Sequence, residues 1–219
     1  MTILIGGHGS GKCEFAIMWA KRLVVDGHSP VTLADLDTIQ PLFRSQEASK
    51  ALQHEGIKMV ISSVPASDMP SIPPQLTSQM GDREKWMVID VGGDAAGARI
   101  LCSISNYLHG CDYNLFFILN TRRPYNENPE SASRELQRIE AVSGLKITGL
   151  ISNTHLLDET NHSLIRDGIE ITRNLADKLG IDFIGVMIPE ELRENFRVPD
   201  DLELFPLRRM LNPPWMREY

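Results

Sequence analysis

Gly6-Gly7-His8-Gly9-Ser10-Gly11-Lys12-Cys13 is the segment whose residue types and spacing speak most directly of chemistry. Gly6, Gly11 and Lys12 stand in the order G-x-x-x-x-G-K. Glycines let the backbone turn tightly and aim successive N–H groups inward, which makes a concave anion nest. A helix starting at the end of such a loop adds its positive N-terminal end. Lys12 then reaches β- and γ-phosphates as a point charge. The rival dinucleotide pattern G-x-G-x-x-G fails: counting from Gly7 or from Gly9, the third glycine is replaced by Lys12 or Glu14. Cys13 stands where the pattern wants Ser or Thr, whose hydroxyl ligates Mg²⁺. A thiol is a poor ligand for a hard, oxygen-seeking ion. The expectation is a phosphate cradle, either with weakened metal placement and hydrolysis or with the metal held adequately by Asp residues and water.

Acidic residues complete this chemistry. Trp86-Met87-Val88-Ile89-Asp90 is an apolar run ending in a carboxylate, the Walker B form that holds a Mg²⁺ shell. It continues Val91-Gly92-Gly93-Asp94, and Gly93 stands where P-loop switches set a backbone N–H against the γ-phosphate. A second run ends in Asp35-Leu36-Asp37. Carboxylates at i and i+2 of extended chain point the same way, toward a metal shell and a water. Each acid alone would be a strand end or a helix cap. Together with Lys12 they ring the loop and call for a divalent cation.

Such residues need a frame that brings them to one edge. Short apolar runs rich in Ile, Val and Phe occur at 2–5, 31–34, 58–62, 86–91, 115–119, 146–152 and 183–188. They are apolar on both faces, as strands buried between helix layers are. Amphipathic stretches lie between them at 12–26, 43–55, 95–108, 129–143 and 161–179. Gly27, Gly56, Gly110, Gly144 and Gly180 follow them as C-terminal stop signals. This alternation predicts a three-layer α/β P-loop fold around a mostly parallel sheet of about seven strands. Right-handed crossovers gather the C-terminal strand ends on one rim, where ligands bind. The segment 64–80, with four prolines, reads as an irregular crossover. Residues 1–219 read as one nucleotide-binding domain, with 199–219 as a tail packed on it. Leu202 to Leu211 is expected to form a short helix stopped by Pro213-Pro214.

The whole composition narrows the class. With 22 basic and 29 acidic residues the net charge is −7, which argues against a general binder of nucleic acid or anionic membrane. Mean hydropathy is −0.17, and no apolar run reaches the length of a membrane span. The N-terminus carries no signal-peptide pattern. Cys13, Cys102 and Cys111 form no C-x-x-C pair, which fits a reducing cytoplasm and argues against a disulfide framework. The six histidines show no metal spacing; His8 contributes its backbone to the loop. Thr121-Arg122-Arg123-Pro124 follows the 115–119 run onto the same rim. Its arginines suit planar oxyanions or serve as a solvated charge pair.

Gly6–Cys13, Leu33-Ala34-Asp35-Leu36-Asp37 and Asp90-Val91-Gly92-Gly93-Asp94 together resemble the MinD/ParA/CobQ-type P-loop ATPases of the SIMIBI class. Asp35 through Ser45, with Asp90 through Asp94, is similar to a bacterial group of CobQ/MinD-like ATP-binding proteins. The resemblance covers nearly the whole chain. It implies ATP or ADP with Mg²⁺ as ligands, Asp35 and Asp90 in the metal shell, and Asp37 positioning the attacking water. It also implies that Asn153 contacts the adenine edge, with Pro189 and Glu190 on the other side of the purine. The residue after Asn153 is Thr154, so no guanine signature N-K-x-D occurs. Many of these ATPases carry a lysine directly after the first loop glycine, which crosses to the nucleotide of a partner. This chain has Gly7 there, so dimer-driven hydrolysis loses that support. Iron–sulfur relatives need paired cysteines, which Cys102 and Cys111 do not provide. The resemblance implies a switch with slow or partner-dependent hydrolysis, acting with a second copy or another protein. Two other classes remain open. One is a phosphotransferase or ligase with its acceptor near Asp37, Arg44 and Arg122, beside the 64–80 crossover. The other is a nucleotide-binding regulator without turnover.

Overall fold

The structure, a computed structural model, describes residues 1–37, 46–61, 72–80, 82, 84–93, 95–108 and 110–208. Arg44 and the rest of 38–45, residues 62–71 of the proline-rich crossover, Asp94, His109 and the end of the tail lie outside the described residues.

Eight strands form one sheet: β1 (Thr2–Ile5), β2 (Val31–Asp35), β3 (Ile57–Ile61), β4 (Trp86–Asp90), β5 (Asn114–Leu119), β6 (Gly149–Ser152), β7 (Asp182–Pro189) and β8 (Glu203–Leu207). Their order is β3-β2-β4-β1-β5-β6-β7-β8, and every pairing is parallel. Seven helices are described: α1 (Lys12–Val25), α2 (Gln46–His54), α3 (Pro74–Thr77), α4 (Ala95–Leu108), α5 (Pro129–Ser143), α6 (His162–Leu179) and α7 (Glu190–Arg193).

Strand alternation sorts the core into two layers. Ile3, Ile5, Met87, Ile89, Leu115 and Phe117 face one side, packed with Leu101, Ile104, Leu136 and Ile139 of α4 and α5. Leu4, Val88, Phe116 and Ile118 face the other, packed with Phe15, Ala16 and Ala20 of α1 and Leu52 of α2. Apolar residues on both faces are what a covered parallel sheet requires. The helix ends follow local chemistry. Asn128 accepts from Ser131 N at 2.9 Å and Asn161 accepts from Leu164 N at 3.0 Å, capping α5 and α6. Gly144 and Gly180 end these helices in the left-handed conformation.

The sheet has one strand more than the alternation of runs predicts, and the extra strand corrects the helix expected within the tail. Residues Glu203–Leu207 pair with β7, Gly185 through Pro189 lying opposite Glu203 through Leu207. Phe205 is buried against α1, edge-on to Phe15 at 5.1 Å between ring centres and to Trp19 at 6.0 Å. Pro206 is tolerable because β8 is the outermost strand among the described residues, where half of the N–H positions face away from the sheet.

Candidate nucleotide site

The strand order puts the C-terminal ends of β2, β4, β1, β5, β6 and β7 side by side on one rim. Nearly all the residues singled out in the sequence come to that rim. β1 runs into the glycine-rich loop, and α1 leaves it at Lys12. Gly9 and Gly11 have φ of 71° and 85°, in the region that side chains disfavour. Ser10 N donates to Gly7 O at 3.1 Å and Phe15 N to Gly11 O at 3.1 Å, closing the loop onto the helix.

Several loop carbonyls are engaged by side chains. Lys12 Nζ donates to Gly7 O at 3.4 Å. Gly9 O accepts from Asn120 Nδ2 at 3.3 Å and from Arg123 Nε at 3.2 Å. Ser10 O accepts from Asn153 Nδ2 at 2.7 Å. Carbonyls held this way leave the loop N–H groups to form the nest. Asn120 is itself fixed, accepting from Arg122 N at 3.0 Å and His155 N at 3.4 Å while donating to His155 O at 3.1 Å. Asn126 Nδ2 stands 2.9 Å from where a Cβ on Gly7 would be, so Asn120 and Asn126 both lie against the loop, and sequence reasoning missed both. Asn120 directly follows β5 as Asn153 directly follows β6, and that parallel was the available signal.

The acids surround Lys12. Lys12 and Asp37 are both largely buried, and Nζ lies 3.9 Å from Asp37 Oδ2. Asp37 N donates to Asp35 Oδ1 at 3.0 Å. Asp35 and Asp90 are register partners at the ends of β2 and β4. Asp90 is fully buried, and apart from the weakly donating Cys13 thiol its carboxylate oxygens have no hydrogen-bond partner among the described residues. Burial pushes its carboxyl up to about 6, against the downward pull of the Lys12 ammonium and the Cys13 thiol. Burial, then the negative charge of Asp90, pushes the Cys13 thiol well above its ordinary range. A protonated thiol is not the ligand form of cysteine.

Among the described residues no three His, Cys, Asp or Glu side chains converge to hold a metal alone. Mg²⁺ does not ask for that, since it binds through one or two carboxylates plus phosphates and water. The oxygens of Asp90, engaged among the described residues only by the Cys13 thiol, fit that role. Gly93 packs directly on the loop, so that a Cβ there would overlap Gly6 O. His8 of the loop is exposed. Pro189 ends β7 and Glu190, exposed, opens α7, on the same rim but beyond β5 and β6.

No family model matches the chain, and no curated protein matches it. Solved structures do. Chloroplast FtsY from Physcomitrella patens is 18% identical, with a TM-score of 0.56 over 84% of this chain and 57% of that one. Cell division protein FtsY from Thermotoga maritima is 18% identical, with a TM-score of 0.55 over 91% and 65%. The signal recognition particle receptor FtsY from Elizabethkingia anophelis is 17% identical, with a TM-score of 0.52 over 93% and 61%. The chain has the P-loop NTPase fold. The likeness is one of fold, and the chain spans about 57–65% of the length of these FtsY chains.

Within that fold the remaining sequence candidates also have places. Arg122 pairs with Asp167 of α6 at 3.0 Å on the exposed side, while Arg123 turns inward to the loop. Cys102 is exposed on α4 and Cys111 is half-buried after it. No helix among the described residues is long and apolar enough to cross a membrane.

Proposed function

We propose that this chain is an ATP-binding P-loop protein of the MinD/CobQ type, in which slow or partner-dependent hydrolysis serves as a switch. One observation supports this above the others: poorly partnered buried polar atoms lie on the rim that carries Lys12. Ser10 Oγ and Ser152 Oγ lack a hydrogen-bond partner among the described residues, and the oxygens of Asp90 have none but the Cys13 thiol. Ser10 lies in the loop, and Ser152 precedes the asparagine that holds it. Buried polar atoms normally find partners, so a cluster without them on a ligand rim supports a polar ligand.

In this proposal the loop N–H groups and Lys12 bind the β- and γ-phosphates, with Lys12 exchanging Gly7 O for phosphate oxygen. Asp90 and Asp35 would hold the shell of a Mg²⁺ ion, which neutralises charge on the transferring phosphate when bound. Asp37 orients the attacking water. The water oxygen bonds to the γ-phosphorus as the bond to the ADP oxygen breaks, and the water's proton leaves toward the Asp37 carboxylate. Asn153 already gives its N–H to Ser10 O, and its Oδ1 is the acceptor for the amino edge of adenine. Pro189 and Glu190 border the purine.

Cys13 supports a regulator that binds nucleotide with little turnover as the second reading. The protonated thiol occupies the position where a hydroxyl would join the metal shell. Calorimetric titration with ATP, ADP and GTP, each with and without Mg²⁺, together with a phosphate-release assay, tests the proposal. The expected result is tighter binding of ATP than of GTP, strengthened by Mg²⁺, with slow release of phosphate. Absence of binding by all three nucleotides would overturn it.

A further inference from the structure

Gly7 follows the first loop glycine, and its neighbour across the fold is Asn126. A Cβ on Gly7 would lie 2.9 Å from Asn126 Nδ2, closer than Cβ atoms stand in real proteins. Asn126 therefore occupies the space that a side chain at position 7 would need. Gly7 is also the residue whose carbonyl holds the Lys12 ammonium, at 3.4 Å. The Asn126 amide thus sits at the end of the loop where the β- and γ-phosphates bind.

Asn126 is held there by a short strap. Asn120 and Arg123 fasten the start of the strap to Gly9 O. Asn126 N donates to Arg123 O at 3.1 Å, closing a turn with Pro124 and Tyr125 between. Tyr125 is the third residue of that turn and has a φ of 68°, a conformation usually left to Gly or Asn. Its side chain is 75% exposed and offers little burial in return. Strain of this kind persists where the surrounding structure imposes it, and it clusters at ligand clamps. Asn126 itself is 2% exposed, and its Oδ1 has no hydrogen-bond partner among the described residues. A buried carboxamide oxygen without a partner beside a phosphate loop points to a ligand.

We infer that Asn126 contacts the terminal phosphate of the bound nucleoside triphosphate, closing the site within one chain at the place where position 7 carries no side chain. The inference rests on the proposed nucleotide binding. Asn126 Nδ2 donates to a γ-phosphate oxygen, and Oδ1 accepts from the water that approaches it. The contact favours triphosphate over diphosphate.

Titration of ATP and ADP with Mg²⁺ into wild type, Asn126→Ala and Asn126→Asp tests it, with thermal melts to confirm folding. Asn126→Asp keeps the shape and places a carboxylate against the phosphates. The expected result is a loss of ATP affinity of about tenfold for Asn126→Ala, the size of one hydrogen bond to a charged group. Asn126→Asp loses more, and ADP binding changes less than about threefold in both. Equal affinities in all three proteins, or equal losses for ATP and ADP, would overturn the inference while leaving nucleotide binding intact. Failure of the wild type to bind either nucleotide would overturn both.

Discussion

Asp35 and Asp90 face each other as register partners on adjacent parallel strands, and Leu36 N donates to Asp90 O at 2.9 Å just beyond them. Two carboxylates are thereby fixed at neighbouring strand ends inside the fold. The nearby cation is Lys12, which also engages Asp37. Asp90 bears the consequence: its folded carboxyl titrates at about 6, against 3.8 for an ordinary aspartate. The folded state holds this proton more tightly than the unfolded state, so the group favours folding at low pH. That contribution is lost as pH rises from about 4 to about 6, and it amounts to something on the order of 3 kcal/mol. Asp90→Asn removes the loss. The melting temperature of the variant without nucleotide should exceed wild type at pH 7.5, and the difference should vanish toward pH 4. Ligand binding has the opposite sign, because a carboxylate must be deprotonated to join a Mg²⁺ shell. Mg²⁺-dependent ATP affinity should fall as pH drops below about 6 in wild type. In Asp90→Asn the Mg²⁺ dependence should be lost at every pH. Parallel pH profiles for the two proteins would refute this assignment.

Cys13 offers a second test beside the same carboxylate. The thiol is buried and held protonated by burial and by Asp90. Serine is smaller, and its hydroxyl oxygen is a ligand that a hard cation accepts. Cys13→Ser should lower the Mg²⁺ concentration needed for half-maximal ATP binding and raise phosphate release by about tenfold or more, the size of a typical metal-positioning contact. Its melting temperature should change little, since the swap costs only one buried sulfur contact. Equal turnover and an equal Mg²⁺ requirement in the two proteins would show that Cys13 does not limit the reaction.

The frame of this site was legible because its signals are local. Gly6, Gly11 and Lys12 carry their spacing on the page, and apolar runs with glycine stops announce buried strands and their helices. Helices α4 and α5 match the sequence reading at both ends. The site's supporting residues were less legible, because they act across the fold. Asn120 and Asn126 are more than a hundred positions from the loop they meet; a strand-end position like that of Asn153 is the one local mark of Asn120, and Asn126 has none. The same holds for β8, whose helix-like apolar spacing is overridden by pairing with β7 and by Phe205 packing on α1. Tertiary contact decides such segments, and local propensity is a weak guide to them.

Gly93 tests how closely the Walker B turn must approach the loop. A Cβ on Gly93 would overlap Gly6 O and stand 2.8 Å from Gly7 N. Both neighbours are backbone, which cannot rotate away as a side chain could. Gly93→Ala must therefore push the β4 turn off the loop or distort the nest. ATP affinity should fall at least about tenfold, the value of one charge-assisted hydrogen bond lost at the γ-phosphate. Circular dichroism should show the helix content retained, because the disturbance is confined to the rim. Undiminished ATP binding by Gly93→Ala would mean that the turn can withdraw from the loop without consequence.

Phe205 tests whether the last described strand belongs to the core that carries the loop. Its ring is buried against Phe15 and Trp19 on α1, the helix that begins at Lys12. Trp19 is anchored in turn, donating from Nε1 to Thr2 Oγ1 of β1 at 3.1 Å. The cluster thus ties β8, α1 and β1 together on one face of the sheet. Phe205→Ala should destabilise the protein by about 3–5 kcal/mol, as emptying a buried aromatic site does. Phe205→Leu, which fills most of the volume, should cost less than half of that. Chemical denaturation of the three proteins measures both values. A loss well under about 1 kcal/mol for Phe205→Ala, the value of an exposed side chain, would show that Phe205 is not buried against α1.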